Sequence, residues 1–431
     1  MFFVVITFVV GLNLLWYLIS DRWLRHELVR YPVAKKLTRA ALLAWMLIIF
    51  VPILFLITGQ GNPLEYGPWI WLAVFYIWMG AILLWMTGLG VLGVRYWGIK
   101  LFRKKPGNRE QSEHQRKQQS VYHAEDQPEQ RPEQQLEQQT RTPPGRLTRR
   151  QLMKIGLVAA PPLLVGSTAI GSAFAKDKLA VRTIDLPVRN LPFDLEGYTI
   201  THLSDLHIGM VTGRERAERI IETANELKSH SIVITGDILD NNIDYMPDLI
   251  ETIGELRADQ GVYLCIGNHD KIHDGTEWVS SVRDAGFNLL LDESMLVDTG
   301  GTPIKLLGID YSHSGSDDLR NIRRAYENTQ TPDQSLKILL AHHPHAFDAT
   351  AQTDIAVTLA GHTHGGQLAF RVGDQIELFN AGNLIFRYVD GIYRQAAGKT
   401  LFVHRGSGDW FPLRVGVPTD VVQLRLVREE V

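Results

Sequence analysis

The distribution of hydrophobic positions divides the chain near residue 176. Before that point, three runs contain no charged side chain, at residues 1–20, 40–58 and 68–94. Each run is close to the ~20 residues that a helix needs to cross the hydrocarbon core of a bilayer. The pattern therefore predicts three transmembrane helices within residues 1–102. A cleaved secretory signal is the alternative for the first run, although no basic region precedes it.

The loops between these runs predict their orientation. The loop at 21–39 contains six Lys and Arg residues, whereas the only charged residue of the loop at 59–67 is Glu65. By the positive-inside rule the first loop is cytoplasmic, the second is outside, and the third helix returns to the cytoplasm. Residues 103–147 are rich in Gln and Pro and contain few apolar side chains. Such a composition cannot offset the entropy of ordering, so we expect a disordered cytoplasmic linker there.

A fourth uncharged run, residues 155–175, follows the pair Arg149-Arg150 and ends in Ala173-Phe174-Ala175. Residues 148–175 resemble a twin-arginine export signal with a small-residue cleavage site, and a fourth transmembrane helix is the alternative. Both interpretations place residues 176–431 on the outer face, periplasmic or extracellular, of an inner or cytoplasmic membrane. If the run does not cross the membrane, residues 176–431 are cytoplasmic.

After residue 176, short apolar runs alternate with segments of helical periodicity. The predicted strands are 198–203, 231–235, 262–266, 304–309, 336–341 and 355–360, and two of the predicted helices are 214–228 and 246–256. Continuous apolar runs are typical of strands that are buried on both faces. We therefore expect a layered α/β fold whose site lies at the carboxyl ends of the strands.

Composition separates the same two regions. Residues 1–175 carry 20 Lys and Arg and 10 Asp and Glu, whereas residues 176–431 carry 24 and 37. The acidic second region argues against a nucleic-acid partner, because phosphate binding needs clustered positive charge. Cys265 is the only cysteine, which excludes a disulfide framework and a Cys-rich zinc site. Twelve of the fifteen histidines lie after residue 175, which favours metal chemistry there.

Five of the predicted strands end in side chains that can bind metals. The segments are Ser204-Asp205-Leu206-His207, Gly236-Asp237, Gly267-Asn268-His269-Asp270, His342-His343-Pro344 and Gly361-His362-Thr363-His364-Gly365-Gly366. In an extended segment residues i and i+2 point the same way, so each Asp-x-His or His-x-His pair can present two ligands. Imidazoles and carboxylates without thiolates favour Zn, Fe, Mn or Ni over Mg or Ca. Seven or more ligands exceed one tetrahedral site, so the count predicts two metals that share a ligand.

The order of these motifs resembles that of the calcineurin-like metallophosphoesterase superfamily over about residues 200–366, and with flanking strands over most of 180–428. The resemblance implies a four-layer α/β/β/α sandwich for residues 176–431 and an enzyme that hydrolyses phosphate esters with a metal-activated hydroxide. The tethered layout, with Ser-Asp-Leu-His and Gly-His-Thr-His-Gly-Gly-Gln, is similar to the bacterial branch grouped with UDP-diacylglucosamine hydrolases. Together with the tether, it favours a phosphodiester or pyrophosphate of a lipid or envelope precursor as substrate.

The resemblance also implies two groups of metal ligands for divalent Mn, Zn or Fe ions. Asp205, His207 and His364 hold one ion, and Asn268, His342 and His362 hold the other. Asp237 bridges the two ions. A bridging carboxylate is suitable because its two oxygens can serve two cations about 3.5–4 Å apart.

Four residues are expected to meet the substrate: Asn268, His269, His343 and Arg414. The resemblance assigns His269, next to the ligand Asn268, a contact with the phosphoryl group and the protonation of the leaving oxygen; a metal ligand and a structural turn histidine are the alternatives. His342 and His343 cannot both easily face one site from an extended strand. The family pattern selects His342 as the ligand, which leaves His343 to line the pocket or contact substrate.

The loop Gly406–Arg414 contains Trp410 and Phe411 and has two interpretations. It either packs under the site or forms an apolar lip that admits acyl chains, with Arg414 near a phosphate. Three other functions stay open: a broad phosphomonoesterase, a metal-binding scaffold without turnover, and a channel or transporter formed by residues 1–102. No protein partner is evident. We expect His202 and Cys265 to be core residues, and His273, His313, His345 and His404 to be surface or hydrogen-bonded residues.

Overall fold

The computed structural model describes residues 179–429 except 273, 313, 328–333, 373–375, 396–397 and 411–413, together with residues 11–22 and isolated helical residues between 36 and 158. Within this part of the chain, no helix combines the length and the apolar character needed to cross a bilayer. The predicted transmembrane helices, linker and signal-like segment fall almost entirely outside the described residues. Two compact units divide the chain, and residues 168–431 belong to the second.

The first sheet of the second unit has six strands in the order β1, β14, β2, β3, β4, β5. Their bounds are Leu179–Val188, Thr419–Arg428, Thr199–Leu203, Ser231–Thr235, Val262–Cys265 and Asn288–Leu289. Strands β2 to β5 are parallel, because each returns to the same edge through a helix or loop. Strand β14 runs antiparallel to β2 and parallel to β1, so that the two ends of this unit complete one sheet.

The second sheet also has six strands, in the order β12, β13, β9, β8, β7, β6. Their bounds are Gly391–Arg394, Thr400–Val403, Val357–Ala360, Leu336–Leu340, Ile304–Gly308 and Glu293–Val297. The four inner strands are parallel, and both edge strands are antiparallel to their neighbours. A separate hairpin, β10 and β11, spans Ala369–Val372 and Ile376–Asn380.

Two faces of apolar side chains meet between the sheets. Val233 and Leu424 of the first sheet pack into one buried cluster with Ile338, Leu359 and Phe402 of the second. The outer face of the first sheet is covered by α1 to α3, which span Arg214–Glu226, Met246–Ile253 and Gly275–Asp284. The outer face of the second is covered by α4 and α5, which span Gly315–Glu327 and Ala346–Ala349. Helices therefore flank two stacked sheets, and the mixed α/β fold that the resemblance implied is confirmed.

The six predicted strands are all present, and they differ from their predicted bounds only at the ends. The outer strand β1 was not predicted, because its side chains alternate between half-buried and exposed positions. Cys265 is fully buried in the cluster between the sheets, which confirms the expected core position.

Candidate metal centre

Five loops at the carboxyl ends of strands carry the residues of the centre. Strands β2, β3 and β4 of the first sheet and β8 and β9 of the second lead into these loops. Parallel strands end at one edge of their sheet, so the loops can meet there. The loops bring together all seven residues that were predicted as metal ligands: Asp205, His207, Asp237, Asn268, His342, His362 and His364.

The backbone of five of these residues is left-handed. The φ angles are 52°, 46°, 50°, 72° and 49° for Asp205, His207, Asp237, His362 and His364. This conformation costs a non-glycine residue ~1–2 kcal/mol, and it is concentrated where function requires it. The paired ligands therefore do not meet because of an extended backbone, as the spacing argument assumed. Tight left-handed turns after β2, β3 and β9 turn their side chains together instead.

Glycines leave space for the two carboxylates. A Cβ atom at Gly267 would overlap the carboxylate of Asp237, and one at Gly361 would overlap the side chains of Ser204 and Asp205. Both glycines stand beside predicted ligands, and both are required by close packing rather than by their own φ angles. Any larger residue at either position would displace a carboxylate of the centre.

The first ligand group consists of Asp205, His207 and His364, all of them buried. Nε2 of His364 lies 3.1 Å from Nε2 of His207 and 3.3 Å from Oδ1 of Asp205. The hydroxyl of Ser204 donates to Oδ2 of Asp205 over 2.6 Å, and the backbone N–H of His362 donates to both carboxylate oxygens. These donors hold the carboxylate in place while one oxygen faces the imidazoles.

The second ligand group consists of Asp237, His342 and His362, with Asn268 beside it. Nε2 of His342 lies 3.0 Å from Oδ2 of Asp237, 3.1 Å from Oδ1 of Asn268 and 3.1 Å from Nδ1 of His362. Asp237 and His342 are buried, whereas Asn268 and His362 are partly exposed. The second group is therefore the more open of the two.

Asp237 joins the two groups. Its Oδ2 atom lies 3.6 Å from Nε2 of His207 in the first group and 3.0 Å from Nε2 of His342 in the second. Its Oδ1 atom accepts the backbone N–H of His269 over 2.8 Å. One carboxylate thus faces both sets of nitrogen atoms, as a bridging ligand must.

The donor atoms of the second group fit a cation. Nδ1 of His342 lies 2.8 Å from the carbonyl oxygen of Thr235, so in the neutral ring the proton is on Nδ1 and the lone pair is on Nε2. The atoms around Nε2 belong to a carboxylate, an amide oxygen and another imidazole. Several lone pairs therefore converge on one point, where a divalent cation satisfies them all.

Three of the four imidazoles are in the protonation state that binds metals, and His342 is the exception. Burial lowers the pKa of His207 to about 3, and burial together with His342 lowers the pKa of His362 to about 4. Burial and the guanidinium of Arg414 hold the pKa of His364 well below its usual value. Burial also opposes a charge on His342, but Asp237 and Asp205 outweigh it and raise its pKa to about 9. Three rings are thus neutral at pH 7, the form that binds metals.

His269 lies at the open side of the centre. Its Nδ1 atom is 3.5 Å from Oδ1 of Asp240, and its ring centroid is 4.6 Å from that of His207 and 5.8 Å from that of Trp410. Burial would lower the pKa of His269, but Asp240 and Asp237 raise it above its usual value. With His207 and Asp237 it also forms a third cluster of possible ligand atoms, so the alternative of a metal ligand stays open.

Two neighbouring carboxylates support the loops. Asp270 accepts the backbone N–H groups of Gly267, Ile238 and Leu239 over 2.8–2.9 Å, and it therefore joins the loop after β4 to the loop after β3. Asp240, which sequence reasoning missed, lies between His269 and Nδ1 of His207. In the sequence, the only feature that could have indicated Asp240 is its position three residues after Asp237.

His343 lies at the centre, beside His342. Its ring centroid is 4.5 Å from that of His362 and 5.9 Å from that of Phe386. Strand alternation suggested that only one of the two adjacent histidines could face the site. Strand β8 ends at Leu340, however, so the extended geometry no longer applies at residues 342 and 343. His343 thus lies beside the ring of His362, and Phe386 next to it was not singled out from the sequence.

Arg414 is placed differently from the expected phosphate contact. It is 4% exposed, its Nε atom donates to Asp409, and its Nη2 atom lies 2.9 Å from Nδ1 of His364. Arg216 reaches the other oxygen of Asp409 over 2.7 Å. Arg414 therefore lies behind a ligand of the first group and not in the open side. Trp410 of the same loop is 42% exposed, and Phe411 is outside the described residues.

The other histidines agree with their expected roles where the structure describes them. His202 is buried and its Nε2 atom lies 2.9 Å from the hydroxyl of Thr235. His404 is also buried, and its Nδ1 atom accepts the N–H of Gly406 over 2.8 Å. His345 is partly buried with Nε2 2.8 Å from Asp318. His273 and His313 lie outside the described residues.

Comparison with known proteins identifies the family. A family model described as calcineurin-like phosphoesterase matches residues 198–366. An uncharacterized metallophosphoesterase of Bacillus subtilis (strain 168), YkuE, is 30% identical over 273 residues, which are 61% of this chain and 91% of that relative. This chain belongs to the calcineurin-like metallophosphoesterases. Members of this family use two divalent metal ions, and the paired ligand groups around Asp237 match that requirement.

Relatives of this metallophosphoesterase differ in length. A Danio rerio protein named "Transmembrane protein with metallophosphoesterase domain" is 30% identical over 258 residues, and the aligned region is 56% of each chain. The chain thus spans little more than half of that relative. Among solved structures, a 5'-nucleotidase precursor from Thermus thermophilus aligns with 49% of this chain and 49% of its own, at 13% identity and a TM-score of 0.34.

Proposed function

We propose that this chain hydrolyses phosphate esters with two divalent metal ions, which Asp237 bridges. The observation that carries the proposal is the position of Oδ2 of Asp237, 3.6 Å and 3.0 Å from one nitrogen of each ligand group. The first ion is assigned to Asp205, His207 and His364, and the second to Asn268, His342 and His362. Manganese, zinc and iron suit these imidazole, carboxylate and amide ligands.

Two such cations lower the pKa of water and neutralise charge on a phosphoryl group. The chain's own residues orient the substrate and supply a proton. Asn268 and His343 border the more open second group, where Nδ2 of Asn268 and a ring N–H of His343 can donate hydrogen bonds to the phosphoryl oxygens. His269 is assigned the protonation of the leaving oxygen, because it lies beside Asp237 and the ring of His207, and because Asp240 supports its protonated form.

Substitution of the bridge tests the proposal. The full chain loaded with Mn²⁺ should hydrolyse an aryl phosphodiester and lose that activity in chelator. Asp237→Asn should lower kcat/KM by roughly a thousandfold, because both ions lose a charged ligand. Metal analysis should find two ions per wild-type chain and fewer in the variant. Asp259→Asn is the matched control, since Asp259 is an exposed carboxylate outside the centre.

Two bound ions and near wild-type turnover in Asp237→Asn would contradict the proposal. Loaded protein without turnover of any phosphoester would instead favour a metal-binding scaffold. Turnover of an aryl phosphomonoester in preference to the diester would select the broad phosphomonoesterase that was kept as an alternative.

The location and substrate extend the proposal. Three uncharged runs of membrane-spanning length precede the domain, and a relative is named a transmembrane protein. We assign the domain to the outer face of the membrane, and a lipid-linked phosphodiester or pyrophosphate as its substrate, as the resemblance to UDP-diacylglucosamine hydrolases suggested. A periplasmic reporter fused after Val431 should be active, and activity of a cytoplasmic reporter at the same position would contradict this orientation.

A further inference from the structure

Three large apolar side chains project from one short segment beside the centre. Leu378, Leu384 and Ile385 are 68%, 77% and 78% exposed, and we name these three residues the apolar ridge. Single exposed apolar residues are ordinary on protein surfaces, but four in eight residues, these three and Phe379 at 41%, indicate a surface that meets an apolar partner. The ridge lies on strand β11 and on the turn that follows it.

Hydrogen bonds attach the ridge to the metal centre. Asn380, at the end of β11, donates from Nδ2 to the carbonyl oxygen of Gly365 over 3.2 Å and accepts the N–H of Gly382 over 2.9 Å. The N–H groups of Ile385 and Phe386 both donate to the carbonyl oxygen of Gly382. The next ring in the chain, that of Phe386, lies 5.5 Å from the ring of His362. The ridge is therefore held at a fixed place beside the second ligand group.

Two other exposed apolar residues lie near His269 of the centre. Ile272, 58% exposed, follows the turn of His269, and Trp410 lies near the His269 ring. Phe193 is as exposed as the ridge, but it precedes the amino end of β2, whereas Asp205 follows the carboxyl end of that strand. Among the residues described after 178, exposed apolar side chains also occur at Val181, Met295 and Ile392, but none of these three is adjacent in sequence to another, as Leu384 and Ile385 are.

We propose that the apolar ridge inserts into the interface of a lipid bilayer and presents the metal centre to that surface. The occupant is argued from the chain itself, because three uncharged runs of bilayer-spanning length precede the domain and would hold it near a membrane. The domain is acidic, with 37 Asp and Glu against 24 Lys and Arg in residues 176–431, so attraction to anionic headgroups does not drive the contact. Burial of leucine and isoleucine side chains in the bilayer interface drives the contact instead.

Only the biological purpose of the insertion, access to phosphoesters at the membrane surface, rests on the proposed function. Insertion itself needs no turnover. A measurement of insertion therefore distinguishes failure of the ridge from failure of the metal chemistry.

A dye at the ridge tests the inference in the full chain. The only native cysteine, Cys265, is buried, so Leu384→Cys creates a single exposed thiol that can be labelled with an environment-sensitive fluorophore. Phe193→Cys is the matched control, because both replace an exposed apolar residue and only one is beside the centre. Both proteins are reconstituted into vesicles of phosphatidylethanolamine and phosphatidylglycerol, with and without a quencher attached to the lipid acyl chains.

The dye at 384 should emit at shorter wavelength in vesicles, and the lipid quencher should lower its intensity by roughly threefold or more. The dye at 193 should stay in water and show neither change. Equal quenching at the two positions would overturn the inference. A blue shift at 384 that grows with protein concentration and ignores the lipid quencher would also overturn it, and would assign the ridge to contact between copies of the chain. Insertion in a protein that lacks turnover would uphold the ridge and reject the proposed hydrolysis.

Discussion

The two ligand groups are similar in composition and different in surroundings. The first, Asp205, His207 and His364, is buried throughout. The second shares Asp237 with it but includes the partly exposed His362 and borders Asn268 and His343. Buried polar groups need fixed partners, whereas exposed ligands leave room for a substrate. The difference indicates that the first group is a rigid anchor and that substrate approaches on the side of the second.

The supports of the two groups show the same contrast. His364 contacts Arg414, which is fixed by Asp409. Burial would raise the pKa of Asp409, but the charges of Arg414 and Arg216 outweigh it and lower that pKa to about 2. His362 instead faces the aromatic rings of His343 and Phe386. An ion network therefore surrounds His364, whereas aromatic rings surround His362.

The largest effect is expected for His269, which lies on the open side. His269→Ala should lower kcat by about 10²–10⁴-fold, the range for loss of general acid catalysis, and should leave both metals bound. Metal content and kcat are measured on the same preparation. Loss of an ion in the variant would instead make His269 a ligand and would remove the contrast between an anchor and an open side.

The pH dependence of metal binding should separate the two groups. The pKa of His342 is raised to about 9, so below that pH an incoming ion must displace its proton. Affinity at the second group should therefore rise about tenfold for each pH unit up to about pH 9. The pKa of His207 is lowered to about 3, so this ring is already neutral and affinity at the first group should stay nearly constant.

Mn²⁺ titrations at pH 6, 7 and 8 measure this prediction. One of the two dissociation constants should fall by about 100-fold over that interval while the other changes little. His342→Ala should abolish the steep phase. A parallel change of both constants would show that the two groups are not electrostatically distinct.

The third prediction concerns the support of the anchor. Arg414→Met should strengthen metal binding at the first group by about 10–100-fold and should spare the second. Nη2 of Arg414 can only donate to Nδ1 of His364, so in the neutral ring the proton lies on Nε2, the atom nearest Asp205 and His207. Removal of the guanidinium lets that proton move to Nδ1 and removes a positive charge beside the cation.

Arg216→Met is the control, because Arg216 pairs with the same Asp409, whereas the hydrogen bond to His364 comes from Arg414. Comparable losses of Tm in the two metal-free variants, with a gain of affinity only in Arg414→Met, would establish that Arg414 sets the tautomer of His364. Equal affinities would reject it.

The sequence predicted the inner strands, and its motifs singled out the seven residues that meet at the centre, because both depend on local patterns. Runs such as Ser231–Thr235 are apolar on both faces and end in motif residues at the sheet edge. The pattern did not reveal whether a second sheet or a helix covers each face; that came from the family resemblance. Strands β1 and β14 pair in parallel although they are 240 residues apart in sequence, and nothing local specifies such a partner.

The hydrophobic pattern also could not predict the backbone conformation at the centre or the contacts between residues that are distant in sequence. The backbone at Asp205 and His207 is left-handed, which the residue types Asp and His do not predict. The place of His343 follows from the end of β8 at Leu340, a boundary that a run of apolar residues leaves uncertain by one or two positions. Arg414 belongs to a loop that is distant in sequence from His364, so only the fold shows that it supports a ligand instead of meeting a phosphate.

The smallest effect is expected for Trp410, on the side of His269. If His269 protonates the leaving oxygen, the leaving alcohol lies near the half-exposed Trp410 ring, 5.8 Å from the His269 ring. Trp410→Ser should then raise KM by about three- to tenfold for a phosphodiester with an apolar leaving alcohol, because less apolar surface is buried, and should change kcat little. Phe386→Ser, on the side of His362, is the comparison, since its effect should not depend on the leaving alcohol. Steady-state kinetics with matched apolar and polar leaving alcohols measures both variants, and an equal loss for the two alcohols in Trp410→Ser would place the leaving group elsewhere.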